Sequence, residues 1–360
     1  MKQLSLHTQH TTLGAKMGAF AGFDMPLTYK GVKAEHLCVR EHVGVFDVSH
    51  MGEFVVSGDR ALDLLQYTTS NNVAALAIGE AQYGYIPNEN GGVVDDLLIY
   101  RLEEKKYMLV VNASNIEKDW QWLNTQNKAI GATLINASEN YALLALQGPK
   151  AHDVMRLISE IDTASQKGFT VVQTTVAGVT DVLVATTGYT GAGGVELYIP
   201  LEHAKQVWKA ILAAGEVYDI QPIGLAARDT LRLEMGYCLY GHELTDTTSP
   251  IAAQLAWCTY FDKAFVGEIP IKKDKANGTP QLRVGFTMID RGIPRQGYDL
   301  VDANGNTIGE VTSGTSSPSL GVGIGMGYVN RDFTKIDTEI FVRIREKNIK
   351  ARITRLPFMS

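Results

Sequence analysis

Residues 79–115, GEAQYGYIPNENGGVVDDLLIYRLEEKKYMLVVNASN, decide how this chain is read. They spell three β-strands joined by two turns. Pro87-Asn88-Glu89-Asn90-Gly91-Gly92 is dense turn chemistry, and Glu103-Glu104-Lys105-Lys106 is a charged reversal between apolar runs. Two carboxylates, Asp95 and Asp96, stand inside the middle strand. Side chains alternate along a strand, so Val94, Asp96, Leu98 and Tyr100 share one face and Val93, Asp95, Leu97 and Ile99 the other. If both faces are covered, at least one aspartate is aimed where an unpaired charge is costly, and it needs a partner, a ligand or a role. The alternative is an edge strand with both aspartates in water.

Working outward, 360 residues suffice for two or three domains. With 45% hydrophobic and 20% charged residues the composition is that of an ordinary globular protein. A net charge of −6 argues against a generally basic nucleic-acid surface. No apolar run approaches the roughly 18 residues that span a bilayer. The first residues, MKQLSLHTQHTTLGAKMG, carry neither an apolar signal core nor an Arg-rich presequence, so the expected location is cytoplasmic, with no membrane partner. Cys38, Cys238 and Cys258 are far apart without metal-ligand spacing and read as buried free thiols. His7, His10, His36, His42 and His50 lack the geometry zinc requires, so no metal is expected.

Residues 1–50 open with polar turns and Gly-rich connections, followed by a helix over 32–42. Residues 51–136 give a β-α-β-β-β-α order, a compact α+β unit, with helices over 60–67 and 116–127. YALLAL (141–146) is an apolar strand, and Pro149 suits the first position of a helix running to 158. Strands over 170–176, 182–187 and 195–199 precede helices over 203–214 and 224–234. IPIKKDKANG (269–278) is polar and Lys-rich and reads as a linker or mobile loop. Beyond it, strands near 283–289, 298–302, 307–312, 325–328 and 339–344 alternate with turns, including a hairpin turn at 302–306, which predicts a small all-β C-terminal domain.

Two glycine-rich runs invite a nucleotide reading and fail it. In 321–327 the glycines alternate singly with no helix following, which fits a strand with close backbone approach. TGYTGAGG (187–194) leads into a strand and lacks the lysine of a phosphate loop. Glu196 follows it among apolar residues. It is either a solvent-facing strand glutamate or a carboxylate held rigidly to accept two parallel hydrogen bonds. On the helix over 224–234, Asp229 and Arg232 are spaced to pair, leaving Arg228 on another face toward a ligand. The hairpin of 79–115 gathers Tyr83, Asp96 and Asn112 near one end of a small sheet, a cluster suited to a flat, polar-edged ligand.

Over nearly its full length the chain resembles the T-protein family, the aminomethyltransferases of the glycine cleavage system. The resemblance rests on VFDVSHMGEFVVSG (45–58), GGVVDDLLIY (91–100), MLVVNASN (108–115), LALQGP (144–149), TGYTGAGGVELYIP (187–200), GLAARDTLRLEMGYCLYGHEL (224–244) and IGMGYV (324–329). It implies an α+β fold of three domains in a cloverleaf around a central channel for tetrahydrofolate. Residues 1–50 plus 137–268 would form a discontinuous folate-binding domain, 51–136 the inserted α+β domain with the catalytic Asp, and 279–360 a barrel-like β domain. The implied partner is the lipoylated H-protein, whose arm delivers an aminomethyl group; the methylene passes to tetrahydrofolate and ammonia is released. Carried over by motif, Asp96 is the catalytic residue beside folate N10, orienting the folate, handling protons and stabilising positive charge on the iminium-like carbon. Glu196 is the pterin-binding carboxylate, and Met51, Tyr83, Asn112, Tyr189 and Arg228 are further folate contacts.

Two departures stand out. The family's acidic residue after TGYTG is Ala192 here, and the resemblance implies a further tail contact to the folate for which no residue up to Pro357-Phe358-Met359-Ser360 is assigned. Two rivals remain within the superfamily. One is a folate-dependent demethylation domain of the kind fused to flavin dehydrogenases, which open on a GxGxxG not found here. The other is a folate-binding accessory or assembly module. Asp96 together with the complete RDTLRLE helix favours the enzyme.

Overall fold

The computed structural model describes residues 1–359. Two compact units are distinguished: residues 1–66, 72–83 and 97–229 form the first, and 67–71, 84–96 and 230 onward the second. The boundary falls inside two strands, Ala81–Pro87 and Val93–Glu103.

In the first unit, a six-stranded sheet runs in the order Val171–Val176, Val179–Ala185, Gly194–Pro200, Tyr141–Gln147, Gly44–Asp47, Gln221–Pro222. Alternation gives its central strands two characters. Leu144, Leu146, Val195, Leu197 and Ile199 pack with Val154, Met155, Val207, Trp208 and Ile211 of helices Ala151–Ile158 and Ala204–Gly215. Gln147, Glu196 and Tyr198 are therefore directed to the opposite face. Register confirms this, since Ala145 pairs with Glu196 and Gln147 with Gly194.

The stretch that opened the reading forms strands Ala81–Pro87, Val93–Glu103 and Lys106–Val111 in a five-stranded sheet completed by Gly52–Ser57 and Thr133–Asn136. The expected β-α-β-β-β-α order is thus extended by a last strand, Thr133–Asn136, paired along Gly52–Ser57. Helices Ala61–Thr68 and Ile116–Asn127 match expectation.

In the second unit, Gln281–Met288, Gly323–Asn330, Thr307–Ser316, Asp299–Val301, Glu339–Ile344 and Lys347–Thr354 close into a six-stranded barrel. Phe286, Leu300, Val311, Val329, Ile340, Val342 and Ile353 fill it. The alternating glycines of 321–327 earn their place here: a Cβ on Gly325 would run into the Phe286 ring. On the other face of the same strand, Ile324 and Met326 pack with Leu233, Leu356 and Phe358.

Several expectations need correction. The supposed loop 269–278 is a helix, Glu268–Asn277, bounded by Gly267 and Gly278, both with left-handed φ. Only Ile271 is buried, so it has no apolar stripe to betray it; Lys and Ala propensity and a Glu268–Lys272 pair of 2.6 Å favour it instead. Residues 1–30 hold a short helix, His7–Thr12, and strands Lys2–Gln3, Lys16–Phe20 and Phe23–Thr28 rather than turns alone. Pro149 lies before the helix, which starts at Ala151. No helix among the described residues is long and apolar enough to cross a membrane.

Candidate functional site

Glu196 does not face solvent: it is 9% exposed, on the sheet face away from the helices. Thr187 Oγ1 donates to its Oε2 at 2.5 Å. Burial raises its pKa above the ordinary glutamate value, while the Thr187 hydrogen bond and the positive charge of Arg228 act in the other direction. Arg228, on helix Leu225–Glu234, lies with its guanidinium carbon 4.4 Å from the centre of the Tyr189 ring. The guanidinium over the Tyr189 ring sets a ring-backed cation near a buried carboxylate.

The glycine-rich loop that carries Tyr189 is held by two neighbours. Gln147 Nε2 donates to the carbonyls of Thr187 at 3.2 Å and Val195 at 3.3 Å, and its Oε1 accepts from Thr190 Oγ1 at 2.8 Å. Arg40 Nη1 donates to the Thr190 carbonyl at 2.6 Å. Gly194 has φ +126, and a Cβ there would run into the Leu146 carbonyl, so the turn can lie against the LALQGP strand only as glycine. The LALQGP and TGYTGAGG motifs are thus two halves of one clamp.

Beside Arg228 stands His50, fully buried, its imidazole pulled down to about 3 by burial and by the Arg228 charge, with Asp47 acting in the opposite sense. It is neutral at physiological pH. Its Nδ1 has no hydrogen-bond partner among the described residues, and the ring meets Phe20 edge-on at 5.5 Å. Two other histidines of the N-terminal region are engaged in structural hydrogen bonds. His10 Nε2 donates to Asp47 Oδ2 at 2.8 Å, and its Nδ1 accepts from Tyr29 at 2.9 Å. His7 pairs with Asp24 at 2.9 Å.

Glu196, Tyr189 and Arg228 are thus brought together within the first unit. Tyr83 and Asn112 are half-buried in that unit, in strand Ala81–Pro87 and directly after Lys106–Val111. Met51 lines a cleft of about 720 Å³ with Phe23, Ser49, Ile116, Ser138 and Tyr141, and none of the other candidates lines it. Asp96 belongs to the second unit and is half-buried, whereas Asp95 is fully buried. The Asp96 charge reaches the buried thiols of Cys238 and Cys258 and adds to the burial that pushes Cys238 up to about 12 and raises Cys258. All three cysteines are buried free thiols, as their spacing predicts.

In the same unit Arg232 pairs with Glu243 at 3.0 Å, both fully buried. Sequence reasoning gave no role to Tyr100, Thr187, Tyr198, Gln147 or His50, although each sits inside a quoted motif or beside one. The available signal was alternation, which puts Tyr198 on the face of Glu196.

The comparisons with known proteins agree along the whole chain. A family model described as the GCVT N-terminal domain matches residues 6–263, and one described as the glycine cleavage T-protein C-terminal barrel domain matches residues 282–359. A protein of Flavobacterium psychrophilum named aminomethyltransferase is 51% identical over 358 residues, covering 99% of each chain. One of Bacteroides fragilis with the same name is 54% identical over 360 residues, again covering 99% of each. The crystal structure of glycine cleavage system aminomethyltransferase T from Bartonella henselae superposes with a TM-score of 0.94 at 37% identity, covering 99% of this chain and 98% of that one. The chain belongs to the glycine cleavage T-protein family of aminomethyltransferases.

Proposed function

We propose that this transferase moves the methylene of an aminomethyl group, carried on the sulfur of a lipoylated H-protein, to tetrahydrofolate in the cytoplasm. The products are 5,10-methylenetetrahydrofolate, ammonia and the free lipoyl thiol. Tetrahydrofolate supplies the two nucleophilic nitrogens, N5 and N10, and their two hydrogens end on sulfur and on ammonia.

The observation that carries the reading is the buried Glu196 carboxylate near an arginine stacked on Tyr189. A carboxylate edge accepts the paired N–H donors of a pterin, and a ring-backed guanidinium offers a flat cationic face. The orphaned Nδ1 of neutral His50 marks the same neighbourhood as unfinished in polar terms. These residues fit a reduced pterin better than a phosphorylated ligand.

Glu196 binds and orients the ring. Arg228, Tyr189, Tyr83, Asn112 and Met51 complete the folate contacts. Asp96, held by a rigid strand, orients the reacting edge, takes and returns protons near N10 and offsets positive charge as ammonia leaves. The same reading divides the chain into residues 1–50 plus 137–268, 51–136 and 279–360. The sheets support it: one draws strands from both sides of 51–136, one lies wholly inside it, and the barrel lies wholly beyond 279.

The test is ammonia release from aminomethyl-loaded H-protein in the presence of tetrahydrofolate. Asp96→Asn is expected to bind tetrahydrofolate within a few-fold of wild type and to lose about a hundredfold or more of the rate. Near-normal turnover by this variant would remove Asp96 from the chemistry. Binding of tetrahydrofolate by the wild type with no turnover would favour an accessory module over a transferase.

A further inference from the structure

Four side chains of the first unit form an unbroken line of hydrogen bonds. Tyr198 and Tyr100 have hydroxyl oxygens 3.0 Å apart, Tyr100 and Thr187 are 3.0 Å apart, and Thr187 meets Glu196 at 2.5 Å. Both tyrosines are fully buried, and Thr187 is 6% exposed. The two phenol rings meet edge to face at 5.7 Å, which leaves little freedom to rotate out of line.

Each hydroxyl has one hydrogen to give. Thr187 gives its hydrogen to the ionised Glu196, so Tyr100 must donate to Thr187, and Tyr198 must in turn donate to Tyr100. The line therefore runs one way. Were Glu196 protonated, its own O–H could donate to Thr187 and every arrow could reverse. Burial raises the pKa of both phenols, so they remain neutral donors.

We propose that Tyr198, Tyr100 and Thr187 are positioning residues: a one-way chain of hydroxyl donors that ends on Glu196 and fixes the orientation and the ionised state in which it meets the pterin. This rests on the assignment of Glu196 as the pterin-binding carboxylate. In a dry setting, aligned hydroxyls polarise one another, so removing an inner member weakens the donor at the end. The charged and titratable groups acting around Glu196 are Arg228, Tyr100 and Tyr198, with Glu53 acting on both tyrosines and His50 beside Arg228. Tyr100 also stands four residues beyond Asp96 on one strand, so the strand with the proposed catalytic acid supplies a link of the chain.

The test is titration of the Glu196 carboxyl in ligand-free protein labelled with ¹³Cδ-glutamate, its resonance assigned by its loss in Glu196→Gln. Tyr100→Phe is expected to raise the midpoint by on the order of one pH unit, and Tyr198→Phe to raise it less. Thr187→Ser should keep the wild-type midpoint, and Thr187→Val should raise it at least as far as Tyr100→Phe. The acid limb of tetrahydrofolate affinity should move with the midpoint in each variant. If the tyrosine variants lose thermal stability while Glu196 titrates as in wild type, the chain is only packing and the proposal is overturned. If wild type binds no tetrahydrofolate, the assignment of the pterin site fails, and the carboxyl titration still decides the chain.

Discussion

Two glutamates buried in different units are treated in opposite ways. Glu243, in the second unit, accepts from Arg232 Nη1 and the Leu239 N–H at 3.0 Å each, and from Thr312 Oγ1 at 2.6 Å. Arg232 in turn donates to the Tyr237 carbonyl and to Ser313 Oγ, so both members of the ion pair are satisfied in place. Glu196, in the first unit, has a single side-chain hydrogen bond among the described residues, from Thr187, and burial raises its pKa. A finished carboxylate holds a structure together. An unfinished one, kept near a cation that is itself engaged on Tyr189, is arranged for a visitor.

The sharpest way to break this contrast is to remove each acid. Glu243→Ala leaves the Arg232 guanidinium buried without its counter-charge, and the expected cost is about 3–5 kcal/mol, read as a large fall in urea midpoint. Glu196→Gln should behave in the reverse manner. Tetrahydrofolate affinity should fall by about tenfold to a hundredfold, the worth of a charge-assisted hydrogen bond, while stability at neutral pH holds or rises.

That second outcome has a sign in pH. Because burial lifts Glu196 above the ordinary glutamate value, the folded protein keeps this proton over a range where the unfolded chain has released it. The contribution of Glu196 to stability is fully present below the ordinary value and is lost as pH rises through the raised one. The stability of Glu196→Gln relative to wild type should therefore increase with pH across that window, measured by urea unfolding at several pH values. A third carboxylate sets the lower end of the scale: Glu268 is paired with Lys272 on an open helix face, and Lys272→Ala should cost only about 0.3–0.5 kcal/mol.

Much of the fold is legible in residue order because long elements repeat their pattern. Helix Ile116–Asn127 and the three strands of 79–115 were readable in this way. Helix Glu268–Asn277 was not, because it buries one residue and so has no stripe. Strand Lys347–Thr354 does carry the signal: Ile349, Ala351 and Ile353 alternate with Lys350 and Arg352. At the site, sequence could name Glu196 as a choice between solvent and ligand but could not choose, since burial depends on the covering of a sheet face from remote segments. Tyr100 and Thr187 were invisible for the same reason: they are 87 residues apart in the chain and meet only through folding.

The most direct test of the account is calorimetric titration of tetrahydrofolate into wild type and Glu196→Gln at one near-neutral pH, with unfolding of both proteins followed in the same buffer. Affinity at least about tenfold weaker is expected in the variant, with an unfolding midpoint equal to or above that of wild type. Equal affinity in the two proteins, or a loss of stability as large as that of Glu243→Ala, would show that Glu196 is a structural acid and contradict it.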